Sequence, residues 1–272
     1  MGIILGIDVG GSTTKIVGLR DSELIGTLQV RAGDQVTSLF GAIGNFLFKN
    51  NIPLSDVQSI ALTGVGATFI DEPIYGIKTE KVDELQAVGY GGLKLSGLQE
   101  AIVISLGTGT ALVRAGKEGV RHIGGSGVGG GTLVGLASQM LGKSDFDAII
   151  DLAKSGNLEN VDLSVRDIVG REIPSLPLDL TAANFGKIKS TATQADIALA
   201  IINMIFQTAG VLAVFAARGD TTRDVVLTGS LTEIPQASEL FAPFKEVYDL
   251  RYVIPPNAVH ATALGATYLA KQ

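Results

Sequence analysis

The segment Gly6-Ile7-Asp8-Val9-Gly10-Gly11-Ser12-Thr13-Thr14-Lys15 ends an apolar run on a carboxylate and follows it with glycines and hydroxyls. Such a turn suits a polyphosphate, because glycine permits φ > 0 and lets backbone N–H groups approach the oxygens closely. Asp8 suits a hydrated Mg²⁺ beside those phosphates, since that ion takes few carboxylates and keeps its waters. The chain then returns into a second strand at Thr14 instead of entering a helix, which excludes the Gly-x-x-x-x-Gly-Lys-Ser/Thr loop. Taken alone, the pattern also reads as an ordinary hairpin turn.

A second copy stands about a hundred residues on. Val103-Ile104-Ser105-Leu106-Gly107-Thr108-Gly109-Thr110 is again an apolar strand, a glycine-hydroxyl turn and a returning strand. A duplicated α/β protein clasping one nucleotide from both sides needs such a pair. The third glycine cluster, residues 124–132, runs directly into a helical pattern beginning at Thr132. A glycine loop feeding a helix N-terminus offers free N–H groups and a favourable dipole to an anion. Val225-Val226-Leu227-Thr228-Gly229-Ser230 is a strand entering a Gly-Ser turn, which suits a ribose and base but is also a common strand exit.

Asp83 and Glu84 open a helix predicted over 82–95. Carboxylates there usually serve the helix dipole. A kinase for an alcohol also needs a carboxylate to take the hydroxyl proton, and Glu84 stands close in sequence to the second turn. Arg121 and His122 precede the glycine cluster, where Arg121 can grip a carboxylate with both guanidinium donors or simply lie on the surface. His260, at a helix start, reads as structural.

The elements that must position these residues follow from periodicity and turn signals. Strands are expected near 2–9, 13–20, 24–30, 57–63, 100–106, 109–115 and 223–227. Helices are expected near 35–50, 81–95, 131–141, 145–155, 193–218 and 258–270. Hairpins followed by alternating helices suggest two mixed-sheet halves, 1–97 and 98–272, with the final helix free to pack back on the first. Pro174, Pro177, Pro255 and Pro256 punctuate loops.

Composition narrows the classes. The 272 residues are 46% hydrophobic, enough for a large core without staples. Zero cysteines excludes thiolate zinc, Fe–S clusters and disulfides, and fits a cytoplasmic protein. A net charge of −6 with no basic stripe argues against nucleic acid. The N-terminus lacks a signal-peptide pattern. Residues 197–217 carry no charge and are long enough to span a bilayer. However, Asn203, Gln207 and Gly210 recur at helical spacing behind a Thr193 N-cap, which reads as a long buried helix at a subunit interface, with no membrane partner.

Together these residues resemble the type II pantothenate kinases, nearly end to end. The resemblance rests on the 6–12 segment, Val82-Asp83-Glu84-Leu85, Leu106-Gly107-Thr108-Gly109-Thr110 and Gly129-Gly130-Gly131. It also rests on Asp179-Leu180-Thr181-Ala182-Ala183-Asn184-Phe185-Gly186, Leu227-Thr228-Gly229-Ser230 and Leu264-Gly265-Ala266. It implies a duplicated actin-like ATPase (ribonuclease H-like) α/β fold, with two mixed-sheet halves around a nucleotide cleft. It implies a homodimer that phosphorylates pantothenate with ATP and Mg²⁺, subject to inhibition by coenzyme A or its thioesters. Glu84 falls on the family's catalytic base and Asp8 near the magnesium. Gly10, Gly11, Ser12, Thr13, Thr14, Lys15, Thr108, Gly130, Gly131, Thr132, Leu133 and Val134 fall on nucleotide-contacting positions. Phe146 falls near the adenine, and Ser230 where the nucleotide site is completed. The family's substrate-holding arginine aligns with His122 without a gap, with Arg121 one residue earlier. The alternatives are another small-molecule kinase of the superfamily, such as an amino-sugar kinase, and an ATP-dependent activator or sensor.

Overall fold

The computed structural model describes residues 2–171, 173 and 177–270, so Pro174 lies outside the described residues. Alternating apolar residues build the first strand, β1 (Ile3–Val9), whose Ile3, Leu5, Ile7 and Val9 all point into a core. It pairs antiparallel with β2 (Thr13–Arg20), which pairs antiparallel with β3 (Glu23–Arg31). Helix α1 (Gln35–Lys49), capped by Asp34, leads to β4 (Val57–Thr63), and β4 and β5 (Lys78–Lys81) extend the sheet in parallel. The order is β3-β2-β1-β4-β5. Helix α2 (Glu84–Ser96) follows and stops at Gly97, which takes the left-handed conformation a C-terminal glycine supplies.

The second half repeats the plan. Strands β6 (Ala101–Leu106), β7 (Thr110–Gly116) and β8 (Gly119–Ser126) form an antiparallel meander. Helices α3 (Gly130–Leu141) and α4 (Phe146–Ala153) follow, then the short β9 (Leu163–Ser164), α5 (Val165–Ile168) and β10 (Thr181–Ala183). The long α6 (Gln194–Ala217) returns to β11 (Asp224–Thr228), then α7 (Ala237–Tyr248), β12 (Arg251–Val253) and α8 (Ala261–Leu269). The sheet order β12-β11-β6-β7-β8 has the same strand directions as the first, so β6, β7, β8, β11 and β12 are the counterparts of β1 to β5.

Helix α6 is the helix among the described residues that passes the length and hydropathy test for a membrane span, yet two-thirds of its most apolar window is buried. Ala198, Ile201, Ile202, Ile205, Phe206 and Ala209 lie in the main core, where α6 packs against α3, α4, α7 and β6. Thr193 caps it and Asp196 completes the capping box, as expected.

Strands β5, β8, β9, β10 and β12 and helices α5 and α7 were not anticipated by periodicity. β8 is an edge strand carrying exposed Arg121 and His122 and, near its end, Gly124 and Gly125, so it lacks the apolar alternation. Helix α7 runs through Pro243, a residue that ordinarily argues against a helix interior.

The two closing helices cross over. Helix α2 covers the second sheet, with Val88 among Ala101, Val103, Val113 and Val226, while α8 covers β1 and β4 of the first. The helices also meet each other without side chains between them. A Cβ on Gly91 would lie 1.8 Å from Ala261 O, and one on Gly265 would lie 1.9 Å from Ala87 O. The reciprocity makes Ala87 and Gly91 the counterparts of Ala261 and Gly265.

Candidate active site

Residues 10–12 join β1 to β2. Gly10 N–H donates to Thr13 O at 3.0 Å, and Ala32 N–H donates to Ser12 O at 2.9 Å. Neither Gly10 nor Gly11 takes φ > 0. The first glycine serves close approach instead, since a Cβ on Gly10 would sit 3.0 Å from Thr13 O. The equivalent turn, 107–109, is closed by Gly107 N–H on Gly109 O at 2.9 Å. The tips of the two turns touch: Ser12 Oγ and Thr108 Oγ1 are 3.1 Å apart.

The glycine cluster is built differently from its sequence reading. Residues 124–126 belong to β8, where a Cβ on Gly125 would meet Thr110 O at 2.6 Å. Gly129 lies directly on the second turn, its absent Cβ 2.7 Å from Thr108 O. The N–H groups of Gly130 and Gly131, expected to be free for an anion, donate to Gly107 O and Thr108 O at 2.8 and 2.9 Å. They shape the turn from behind. Thr132 Oγ1 accepts from Gly129 N–H and donates to Gly127 O. Leu133 is fully buried and its N–H closes the helix on Gly129 O, while Val134 packs beside the same core. The open anion surface is therefore the exposed tips, Gly11, Ser12 and Thr108.

Thr14 also departs from expectation. Strand alternation turns it away from the cleft, and its Oγ1 is buried without a partner. Its neighbour Lys15 faces Asp8 across the hairpin, Nζ 3.7 Å from Oδ2, with both side chains 8% exposed. Burial pushes the Asp8 carboxyl upward, and the Lys15 ammonium opposes that shift.

Asp83 caps α2 by accepting Gln86 N–H at 2.8 Å, and Gln86 Nε2 donates to Val120 O of β8 at 2.9 Å. This fixes Glu84 at the first residue of the helix. Glu84 opens to solvent, yet enough protein surrounds it to raise its pKa by desolvation, with the Asp8 charge adding to the rise and Lys15 opposing it. Glu84, Asp8 and Lys15 therefore share one electrostatic neighbourhood. Glu233, missed in the sequence, joins it from the turn after β11: burial raises its pKa and Lys15 lowers it.

Arg121 and His122 point to opposite faces of β8. His122 pairs with Val113 on the face that α2 covers, and Arg121 pairs with Arg114 on the other. His122 Nε2 lies 3.0 Å from Gly124 O. Phe146 heads α4, half-buried against the second core. Its neighbours Asp145 and Asp147 reach Arg31 of β3 at 2.8 and 3.7 Å, an ion pair between the halves that sequence reading did not find. Ser230 follows Gly229, which has φ +91°; Gly64, after β4, has φ +90°. A Cβ on Gly64 would strike Val9 O at 2.5 Å and one on Gly229 Leu106 O at 2.6 Å. The repeated Leu-Thr-Gly at 62–64 and 227–229 was the available signal.

Two five-stranded sheets of one topology, two facing turns and crossed closing helices define an actin-like ATPase and sugar-kinase fold. Solved structures agree. An activator of 2-hydroxyisocaproyl-CoA dehydratase from Clostridium difficile with bound ADPNP superposes with a TM-score of 0.72 at 14% identity, covering 98% of this chain and 94% of that one. A ROK family glucokinase from Streptomyces griseus in complex with glucose and AMPPNP gives 0.64 at 14% identity, with both chains fully covered.

The sequence profile of the Fumble family matches residues 100–240, just over half of the chain, and the chain belongs to that family, the type II pantothenate kinases. It is 28% identical over 274 residues to the type II pantothenate kinase of Staphylococcus haemolyticus (strain JCSC1435), covering 97% of this chain and 99% of the relative. It is 29% identical over 281 residues to that of Staphylococcus aureus (strain MRSA252), covering 98% and 99%.

Proposed function

We propose that this chain transfers the γ-phosphate of ATP to the primary hydroxyl of pantothenate, giving 4′-phosphopantothenate at the start of coenzyme A synthesis. One observation carries the reading beyond family membership: a carboxylate with a raised pKa, Glu84, shares its neighbourhood with the Asp8–Lys15 pair beside the phosphate turn. Glu84 accepts the hydroxyl proton as that oxygen bonds to the γ-phosphorus and ADP leaves with the bridging oxygen. Lys15 and the exposed tips at Gly11, Ser12 and Thr108 bind and orient the phosphates.

Asp8 fits a hard divalent cation. It is a buried oxygen donor whose ion-pair partner among the described residues is Lys15, at a distance too long for a hydrogen bond. Mg²⁺ bound there supplies charge neutralisation at the phosphates. His122, on the α2 face, suits the pantothenate carboxylate end better than Arg121. Halves 1–97 and 98–272, with α8 returned to the first sheet, close around the nucleotide and exclude water.

The apolar α6 presents exposed Val211 and Phe215, which fit a homodimer interface. The absence of cysteine suits a reducing cytoplasm. Coenzyme A and its thioesters, which contain the phosphorylated product's skeleton, are the expected inhibitors. An ADP-release assay with pantothenate and with a hexosamine tests the acceptor. Turnover with the amino sugar and none with pantothenate overturns the assignment.

A further inference from the structure

Leu62-Thr63-Gly64 ends β4 and opens the turn after it, between two carboxylates that the fold keeps on separate elements. Asp8 is the strand partner of Thr63, and a Cβ on Gly64 would lie 2.6 Å from Asp8 Oδ1. On its other side β4 runs beside β5, whose continuation leads into α2. Val82 N–H donates to Leu62 O at 2.9 Å, and Thr63 Oγ1 donates to Val82 O at 3.0 Å. Both polar groups of the Val82 backbone are therefore pinned to β4, immediately before the Asp83 cap and Glu84. A buried hydroxyl is ordinarily hydrogen-bonded, and this one, on a residue 1% exposed, is committed to Val82 O.

The second half shows that this bond is not a requirement of the sheet. Thr228, in the matching Leu-Thr-Gly, donates instead to Ile104 O of the neighbouring strand at 3.1 Å. The correspondence of Ala87 and Gly91 with Ala261 and Gly265 places Val82 opposite Pro256 and Glu84 opposite Ala258. Proline has no N–H to offer Leu227 O. The helix start there is held by Gly229 N–H on Ala258 O at 3.1 Å. Ser105, the strand partner of Thr228, takes the place of Asp8. The half that lacks both carboxylates also lacks the threonine tie.

We propose that Thr63 is a positioning residue whose hydroxyl fixes the entry to α2 and so sets Glu84 in its place relative to Asp8 and the phosphate turn. The end of β4 is then the spacer between the carboxylate suited to a cation and the one suited to the acceptor hydroxyl. A general base must stand within hydrogen-bond reach of the proton it takes. A small shift of the α2 start therefore costs turnover and spares nucleotide affinity. This role rests on the reading of Glu84 as the base, but not on the identity of the acceptor substrate.

The test is steady-state kinetics of the full chain with MgATP and pantothenate, with thermal melting alongside. Thr63→Val keeps the shape of the side chain and deletes the donor, and Thr63→Ala deletes it with less bulk. Thr63→Ser keeps the donor. The expected result is that Val and Ala lower kcat by about 10- to 100-fold, the cost of a displaced catalytic group, with KM for MgATP unchanged. Ser keeps most of the wild-type kcat. In a Glu84→Gln background Val causes no further loss of turnover, while its effect on melting persists. Wild-type kcat in Val and Ala overturns the proposal, as does Ser performing no better than Val. A raised KM for MgATP in place of a lowered kcat, or a full further loss on Glu84→Gln, overturns it too. Glu84→Gln with wild-type kcat would overturn the reading of Glu84 as the base, and this role with it. Turnover with a hexosamine and none with pantothenate counts against the acceptor assignment alone, and the same variants are then compared with that acceptor.

Discussion

Ser12 and Thr108 stand at equivalent points of two copies of one hairpin, and their hydroxyl oxygens approach to 3.1 Å across the cleft. The turns therefore face each other tip to tip, and a polyphosphate entering between them meets donors from both copies. The charge pair beside the turn, Asp8 with Lys15, lies on one side only, since Ser105 and Ala111 stand at the matching positions of the second hairpin. Duplication supplied the clamp, and divergence made it directional.

Replacing Glu84 by Gln keeps ATP binding and lowers kcat by about 10²–10⁴, the usual loss for a general base. Because desolvation, and after it the Asp8 charge, raises the Glu84 pKa, the active carboxylate is lost as pH falls through a value above the ordinary glutamate range. The wild-type kcat–pH profile should show that acid limb and the Gln variant should lack it. A profile flat down to pH 4 would remove Glu84 as the base.

Asp8→Asn or Lys15→Met leaves the other charge buried and unpaired, which costs about 3–5 kcal/mol. Combining them should return most of the stability in urea melts without returning activity. Additive destabilisation in the double variant would show that the pair is not coupled.

Arg31 is exposed at the end of β3 and binds Asp145 and Asp147 at the start of α4, an ion pair that joins the two halves. Arg31→Ala should speed ADP release by about two- to fivefold at low salt and have little effect near 1 M salt, where screening has already removed the contact. Stopped-flow release at two ionic strengths decides this.

Gly91→Leu and Gly265→Leu drive a side chain into the backbone of the opposite helix, with Cβ contacts of 1.8 and 1.9 Å. Each should destabilise by on the order of 3 kcal/mol. Gly44→Ala, in the exposed face of α1 with nothing within 4 Å, should instead stabilise by about 0.5–1 kcal/mol. Denaturant midpoints of the three variants check both signs.

The hairpin strands were legible because each is a short apolar run bounded by glycine, and the long helices because their caps and periodicity agree. That Asp8 is a carboxylate at the end of the first strand and Glu84 one at the start of a helix was legible from residue type and position. The roles of Thr14, Gly130 and Gly131 were not, since strand parity and the destination of a backbone N–H depend on neighbours about a hundred residues away. Gln86, Glu233 and Arg31 escaped for the same reason: nothing local distinguishes them from solvated surface residues. The 62–64 and 227–229 repeat was readable, but only with the duplication carried one strand further.

The crossing of α2 and α8 makes each sheet depend on a helix encoded beyond its own strands. The chain is in effect a domain-swapped dimer fused into one polypeptide. A break near Gly97 would therefore yield two fragments that are each incomplete, yet able to reassemble around the glycine contact of α2 with α8.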